Sequence, residues 1–124
     1  MSTKCEELLA ANGVDYAEAM ERFGGNKELY KRIAVKFLDD PHYEELRQAL
    51  DNNDAEGAYR HTHALKGVVG NLSFGNLYRA ACRITDALRT GDVAAARALM
   101  VELTEAHATV VAGLMVLKKG GAKA

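Results

Sequence analysis

A long apolar stripe in the C-terminal part is the feature that most constrains this chain of 124 residues. Between positions 93 and 117, its members recur in steps of three and four, the spacing of one face of a helix. The stripe consists of Val93, Ala96, Met100, Leu103, His107, Val110, Leu114 and Leu117. Because a helix this long can bury its stripe only along several partners, the pattern predicts a bundle of helices.

The rest of the chain also has the character of an all-helical protein. Proline occurs once, and runs of β-branched or aromatic residues are absent. Capping residues predict helix starts at Asp15, Asn26, Asp40-Pro41, Asn53, Ser73 and Asp92. Since short connections make consecutive helices antiparallel, we expect an all-α fold. The expected architecture is an antiparallel up-and-down four-helix bundle with two or three short additional N-terminal helices.

The apolar spacing also predicts which side chains face the core. The expected inner positions of the helices before position 92 are Leu29, Ile33, Phe37, Leu46, Ala49, Leu50, Ala55, Ala58, Thr62, Leu65, Val69, Leu72, Leu77, Ala80, Ala81, Ile84 and Leu88. We predict one domain over residues 15–117. An N-terminal helix or arm over 1–14 precedes it, and a flexible tail over 118–124 follows.

Composition excludes several classes of function. The formal net charge is −1 and no long basic run occurs, so we expect no nucleic-acid partner. The N-terminus carries acidic residues where a secretion signal would need an apolar stretch, and no apolar run approaches the roughly 20 residues that cross a bilayer. We therefore expect a cytoplasmic protein without a membrane segment, with Cys5 and Cys82 reduced. Cys82 lies beside the inward positions of its helix and is expected to act as a small hydrophobic residue.

The segment 54–72 carries a histidine on the side away from its apolar face. His63 falls roughly 130° from the centre of that face, and its own side also holds Tyr59, Lys66, Gly67 and Gly70. Each glycine inside a helix costs about 1 kcal/mol relative to alanine. We interpret the two glycines as giving a partner close access to His63. On periodicity alone, an exposed histidine beside a lysine is more often part of an ordinary solvated face.

Other chemistry is poorly supported by the sequence. His61 and His63 differ by two positions and so point about 160° apart around a helix, which argues against a shared metal ion. We expect His61 and His107 to be structural and His42 to have no role. Neither glycine cluster follows a strand or precedes the lysine of a phosphate-binding loop, so an ATP site is not expected.

The chain resembles the histidine-containing phosphotransfer (Hpt) domains of two-component phosphorelays over residues 15 to 115. The resemblance rests on the motif His63-Ala64-Leu65-Lys66-Gly67, then Gly70-Asn71-Leu72, and on the closing segment Leu88-Arg89-Thr90-Gly91-Asp92. Upstream, residues 16–26 resemble the N-terminal segment of the family and contain its glycine pair, Gly24-Gly25.

The resemblance implies a phosphoryl carrier and not a kinase. His63 would accept a phosphoryl group from the aspartyl phosphate of a receiver domain and pass it to another receiver domain, with Lys66 stabilising the charge. Gly67, Gly70, Tyr59 and Arg60 would serve receiver access and docking, with Met20 and Phe23 extending that surface and Arg89 adding positive charge. The implied partners are response-regulator receiver domains and a hybrid histidine kinase. Mg²⁺ would come from the receiver, so we expect no cofactor or metal in this chain, and a monomer.

Three residues depart from the family pattern. Ser73-Phe74 stands where Gly-Ala is common, and Thr85 stands where the family often has a glutamate that orients the acceptor imidazole. Phe74 is similar to the phosphoryl-acceptor domain of chemotaxis-type histidine kinases. Two alternatives therefore stay open, an excised domain of that kind and a helical interaction module that is not phosphorylated. The cognate kinase and regulator, the pathway output and the modified imidazole nitrogen are left open as well.

Overall fold

The computed structural model describes residue 10 and residues 13–121, and this part of the chain is all-helical, as predicted. The helices are α1 (Tyr16–Arg22), α2 (Lys27–Lys36), a single 3-10 turn (Phe37–Asp39), α3 (His42–Asp51), α4 (Ala55–Asn71), α5 (Gly75–Arg89) and α6 (Val93–Gly121). The described residues contain no strand, only an isolated bridge between Val14 and Phe74.

Consecutive helices pack side by side from α3 to α6. Helix α4 lies between α3 and α5, and α5 lies against α6. Helix α2 packs on α6, which also touches α3 and the 3-10 turn. The largest fully buried side chains include Tyr30, Leu46, Leu65, Phe74, Leu77, Ile84, Leu103 and Leu114. The long stripe of α6 therefore does contact several partners, as its length predicts.

The inner faces predicted for α4 and α5 are confirmed almost completely. Every predicted position of α5 is buried, and on α4 only Ala55 is half-buried. Helix α2 is rotated relative to the prediction. Tyr30 and Ala34 are its buried residues, whereas Ile33 is 37% exposed and Leu29 is half-buried.

A buried hydrogen bond explains the rotation of α2. The Tyr30 hydroxyl donates to the carbonyl of Leu72 at 2.6 Å, beyond the last turn of α4. The Tyr30 ring also meets the rings of Tyr16 and Phe23 edge to face, with centroids 6.0 and 5.2 Å away. Burial raises the pKa of the Tyr30 phenol, so this hydroxyl keeps its proton and remains a donor. The bond attaches α2 to the C-terminal end of α4.

Three of the predicted caps are confirmed. Side-chain oxygens of Asp15, Asn26 and Asp92 accept hydrogen bonds at 3.0 Å from backbone N–H groups three residues later. At Asp40-Pro41 the helix begins one residue later than predicted. There the Asp40 carboxylate accepts from the backbone N–H of His42 at 2.9 Å.

Two predicted caps, Asn53 and Ser73, are wrong, and for the same reason. Each residue ends the preceding helix in the left-handed region, with φ of 56° and 61°. The next N–H in each case donates back to a carbonyl five residues earlier, from Asp54 to Ala49 and from Phe74 to Val69. Asp54 is the actual cap of α4, accepting from the Gly57 N–H at 2.9 Å. Phe74 precedes α5 without a side-chain cap.

The C-terminal boundary also differs from the prediction. Helix α6 continues to Gly121, beyond the boundary expected at residue 118, and the flexibility of the tail stays a prediction. Residues 122–124 lie outside the described residues. So do residues 1–9, 11 and 12, which include Cys5 and most of the predicted N-terminal arm.

By length and composition, one helix in the described part of the chain could span a membrane. It is α6, over Val93–Lys119, with 22% of its most apolar window buried. The expectation that the chain has no membrane segment stays a prediction. The observation is weak evidence for a membrane segment, because core helices meet the same criterion and α6 packs its stripe on three other helices.

Candidate functional site

His63 lies exposed on α4, opposite the face that packs into the core. The buried residues of this helix are Gly57, Ala58, Thr62, Leu65 and Val69. Because these residues hold α4 between α3 and α5, the backbone that carries His63 is anchored along its length. The exposed position agrees with the orientation predicted from the apolar spacing.

The His63 imidazole contacts one aromatic ring. Tyr59, one turn earlier on α4, stacks on it with centroids 5.9 Å apart and ring planes inclined by 18°. Within residues 13–121, the imidazole takes part in no hydrogen bond and no ion pair. Both ring nitrogens are thus open to a partner, and one of them can act as a nucleophile in the neutral ring.

Arg89 reaches this pair from α5. Its guanidinium donates to the Asp86 carboxylate at 2.8 Å. The nearby Tyr59 hydroxyl and the Asp86 carboxylate raise the pKa of Arg89 above its usual range, the tyrosine having the larger effect. A positive charge on α5 is therefore linked to the ring that stacks on His63.

Lys66 and Gly67 follow His63 by one turn. Lys66 is half-buried, and in the described part of the chain it forms no ion pair, so its charge is not neutralised by a carboxylate. A methyl group added at Gly67 would meet no atom within 4 Å. Packing inside the domain therefore does not require a glycine at position 67. This is consistent with a glycine that leaves room for a partner protein to approach.

Gly70 differs from Gly67, and the prediction that both face open space is wrong. A methyl group at Gly70 would lie 3.1 Å from two ring carbons of Tyr78 on α5. This distance is tighter than ordinary van der Waals contact, so the glycine lets the tyrosine ring lie against α4. Gly70 is a packing glycine between two helices.

Arg60 also lies near His63 along the helix, but its charge is balanced. It forms an exposed ion pair with Glu56 at 3.7 Å, four residues earlier. Exposed pairs of this kind contribute little to stability, but they place a carboxylate beside the cation. A docking role for Arg60 stays a prediction.

A groove of about 680 Å³ runs from Lys66, Gly67 and Gly70 to α1 and the start of α5. Its wall includes two arginines that the sequence analysis did not single out, Arg22 and Arg79. They come from α1 and α5, and only the packing of these helices against α4 brings them together. The predicted docking residue Phe23 lines a separate groove with Val68 and Leu72.

The Hpt domain family model matches residues 40–113, which span α3, α4, α5 and most of α6. The chain belongs to the Hpt domain family. No curated protein and no solved structure matches the chain. The matched range contains His63 and every other residue of the site described above except Arg22 and Phe23.

Two departures of this Hpt domain from its family pattern lie in the core. Thr85 is fully buried, and its hydroxyl donates to the Ala81 carbonyl at 2.7 Å and lies 3.4 Å from the Thr62 hydroxyl. Phe74 is also fully buried, edge to face with Phe37 at 5.4 Å. Thr85 is thus engaged with the inner face of α4 and not with the exposed His63. Cys82, expected beside the inward positions of its helix, is half-buried.

The other histidines of the Hpt domain have partners of their own. His61 lies 3.4 Å from Glu45. His42, expected to have no role, is half-buried and lies 2.8 Å from Asp40. His107 stacks on Tyr43 with centroids 4.0 Å apart, and burial lowers its pKa. Among residues 13–121, no group of three or more His, Cys, Asp or Glu side chains could hold a metal ion.

Proposed function

We propose that His63 carries a phosphoryl group between receiver domains in a phosphorelay. Hpt domains are phosphotransfer carriers in two-component systems and not enzymes. The observation that supports the assignment to His63 is its exposed imidazole, free of hydrogen bonds within residues 13–121 and next to the open surface of Gly67.

The proposed transfer needs a nucleophile and little else from this chain. The unprotonated ring nitrogen attacks the phosphorus of an aspartyl phosphate, and a phosphorus–nitrogen bond forms as the bond to the carboxylate oxygen breaks. The carboxylate leaves with the electron pair, and the imidazole proton stays on the other ring nitrogen. The reverse reaction delivers the group to a second receiver. Because phosphoryl transfer is governed by positioning and charge, no acid or base beside His63 is needed.

The neighbours of His63 have distinct proposed roles. Lys66 offsets the negative charge of the phosphoryl group, and Gly67 leaves room for the receiver loops around its aspartate. The receiver provides Mg²⁺, so this chain contributes no cofactor and no ATP site. A hybrid histidine kinase is a further proposed partner. We also propose that α3 to α6 form the antiparallel up-and-down bundle, and that the domain works as a cytoplasmic monomer.

Transfer of label from receivers tests the proposal. The protein is incubated with a panel of receiver domains phosphorylated with labelled phosphate, in the presence of Mg²⁺. We expect label on the wild-type chain that is labile in acid and stable in base, and no label on His63→Gln. His61→Gln is the matched control, because it removes another histidine of α4 and should be labelled normally.

Two outcomes would contradict the proposal. Label that persists on His63→Gln would place the chemistry at another residue. A wild-type chain that takes no label from any receiver of the panel would favour the alternative of an interaction module that is not phosphorylated.

A further inference from the structure

The orientation of the His63 ring depends on few contacts. An exposed histidine rotates about two side-chain bonds, and within residues 13–121 no hydrogen bond or ion pair holds this one. The stacked ring of Tyr59 is its one ring contact in the same residues. A centroid distance of 5.9 Å lies within the range in which aromatic pairs attract.

Tyr59 is held more firmly than His63. Its side chain is half-buried and packs against the hydrophobic core. Arg89 approaches it from α5 and is itself attached to Asp86 at 2.8 Å. The ring that lies on His63 is therefore held by its packing against the core, with Arg89 of α5 nearby. Thr85, also on α5, does not contribute, because its hydroxyl bonds inward to Ala81.

We propose that Tyr59 is a positioning residue for phosphoryl transfer at His63. Its ring, packed against the hydrophobic core, holds the imidazole in one orientation before the receiver docks. The proposal rests on the proposed function of His63. Transfer requires the attacking nitrogen to be aligned with phosphorus at about 3–3.5 Å, so an imidazole that rotates freely reaches this arrangement less often.

The test compares Tyr59→Leu, which removes the ring, with Tyr59→Phe, which keeps the ring and removes the hydroxyl. We expect Tyr59→Leu to transfer about 2- to 10-fold more slowly at saturating receiver, with unchanged affinity for the receiver. Tyr59→Phe should stay within about twofold of wild type, because the stacked ring remains. Arg89→Ala should behave like Tyr59→Phe, because both remove the interaction of the guanidinium with the phenol hydroxyl and leave the stacked ring.

A spectroscopic measurement separates positioning from a merely structural role. In NMR spectra, the ring protons of His63 should shift in Tyr59→Leu, because they no longer lie against the phenol ring, and stay near their wild-type values in Tyr59→Phe. Circular dichroism should show unchanged helicity. Tyr43→Leu removes the other stacked tyrosine–histidine pair, and Arg47→Ala removes another arginine paired three residues away along a helix. Neither control should slow transfer.

The outcomes are distinguishable from failure of the proposed function. Wild-type transfer and unchanged His63 signals in Tyr59→Leu would overturn the positioning role alone. Slower transfer that disappears at saturating receiver would also overturn it, because Tyr59 would then serve docking. A wild-type chain that is never labelled would overturn the proposed function, and the positioning role with it.

Discussion

Lys66 follows His63 by one turn of α4 and lies half-buried along the groove toward α1. Its charge is not paired with a carboxylate in the described part of the chain, in contrast to Arg60, which is paired with Glu56. A phosphoryl group on His63 would bring negative charge to this part of α4. Lys66 is therefore the residue whose charge bears most directly on the phosphorylated state.

Replacing Lys66 with alanine should slow transfer or shorten the lifetime of the phosphorylated form by about 2- to 5-fold, the size expected of a largely solvated charge. Helicity should not change, because alanine is a good helix former. Transfer kinetics and circular dichroism check both points, with Lys31→Ala on α2 as the control. An unfolded Lys66→Ala would show that the residue is needed for the fold instead.

The two glycines near His63 should respond differently to alanine. Gly67→Ala should stabilise the protein by up to about 1 kcal/mol, because helix propensity improves and no neighbour is displaced. Gly70→Ala should gain less or lose stability, because the Tyr78 ring must move. Urea unfolding of both variants measures the difference. Equal stabilisation would contradict the packing role of Gly70.

A larger side chain at Gly67 should act on the complex and not on the fold. Gly67→Gln should block phosphoryl transfer from a receiver while helicity stays at the wild-type level. Gly67→Ala is the size control and should keep most of the activity. Unimpaired transfer in Gly67→Gln would refute the access argument.

At the level of helices, the connections before α4 and before α5 have the same backbone arrangement. In each connection, a residue with positive φ ends the preceding helix, and the residue after it directly precedes the next helix. Three residues therefore connect the two helices in both cases. Sequence patterns identified both turns but assigned the cap one residue early. Asn and Ser are favoured at a helix start, and Asn at a helix end, so composition alone does not choose between the two.

Asp54→Ala tests the assignment of the α4 cap. The change leaves the N–H of Gly57 without its side-chain acceptor and should cost about 1 kcal/mol of stability. Asn53→Gly is the matched control, because glycine accepts the positive φ at that position and the cap is kept. Equilibrium unfolding in urea gives both values. A larger loss in Asn53→Gly than in Asp54→Ala would return the cap to Asn53.

At the level of the whole molecule, His107 connects distant parts of the chain. From the middle of α6 it stacks on Tyr43 of α3 and meets Phe37 of the 3-10 turn edge to face at 5.8 Å. Burial lowers its pKa, and the Asp40 carboxylate opposes this only in part. The neutral imidazole is therefore the form that fits the folded protein.

This burial predicts a pH dependence of stability. The unfolded chain binds the His107 proton more readily than the folded one, so stability is complete above the ordinary histidine pKa of about 6.5. It should decrease as the pH falls from there toward the lowered pKa of His107. Urea midpoints measured from pH 7.5 to 5.5 should fall less in His107→Phe than in wild type. If the urea midpoints of wild type and His107→Phe decreased equally with pH, the prediction would be contradicted.

Much of the molecule follows from the sequence because helix periodicity is a local property. It predicted the inner faces of α4 and α5, the long stripe of α6 and the exposure of His63, each from residues a few positions apart. It failed for α2, where the hydrogen bond from Tyr30 to the carbonyl of Leu72 sets the rotation. The two residues are 42 positions apart, so the spacing of apolar residues within one helix cannot predict their contact.

Part of the candidate site also follows from the sequence, and part depends on how the helices pack. His63, Lys66 and Gly67 share one helix, and the sequence alone placed them on one face. The contact of Gly70 with Tyr78, the link from Arg89 to Tyr59 and the inward bonds of Thr85 join α4 to α5 or lie within the packed core. Only tertiary structure decides such contacts, because they depend on how two helices are rotated and spaced against each other.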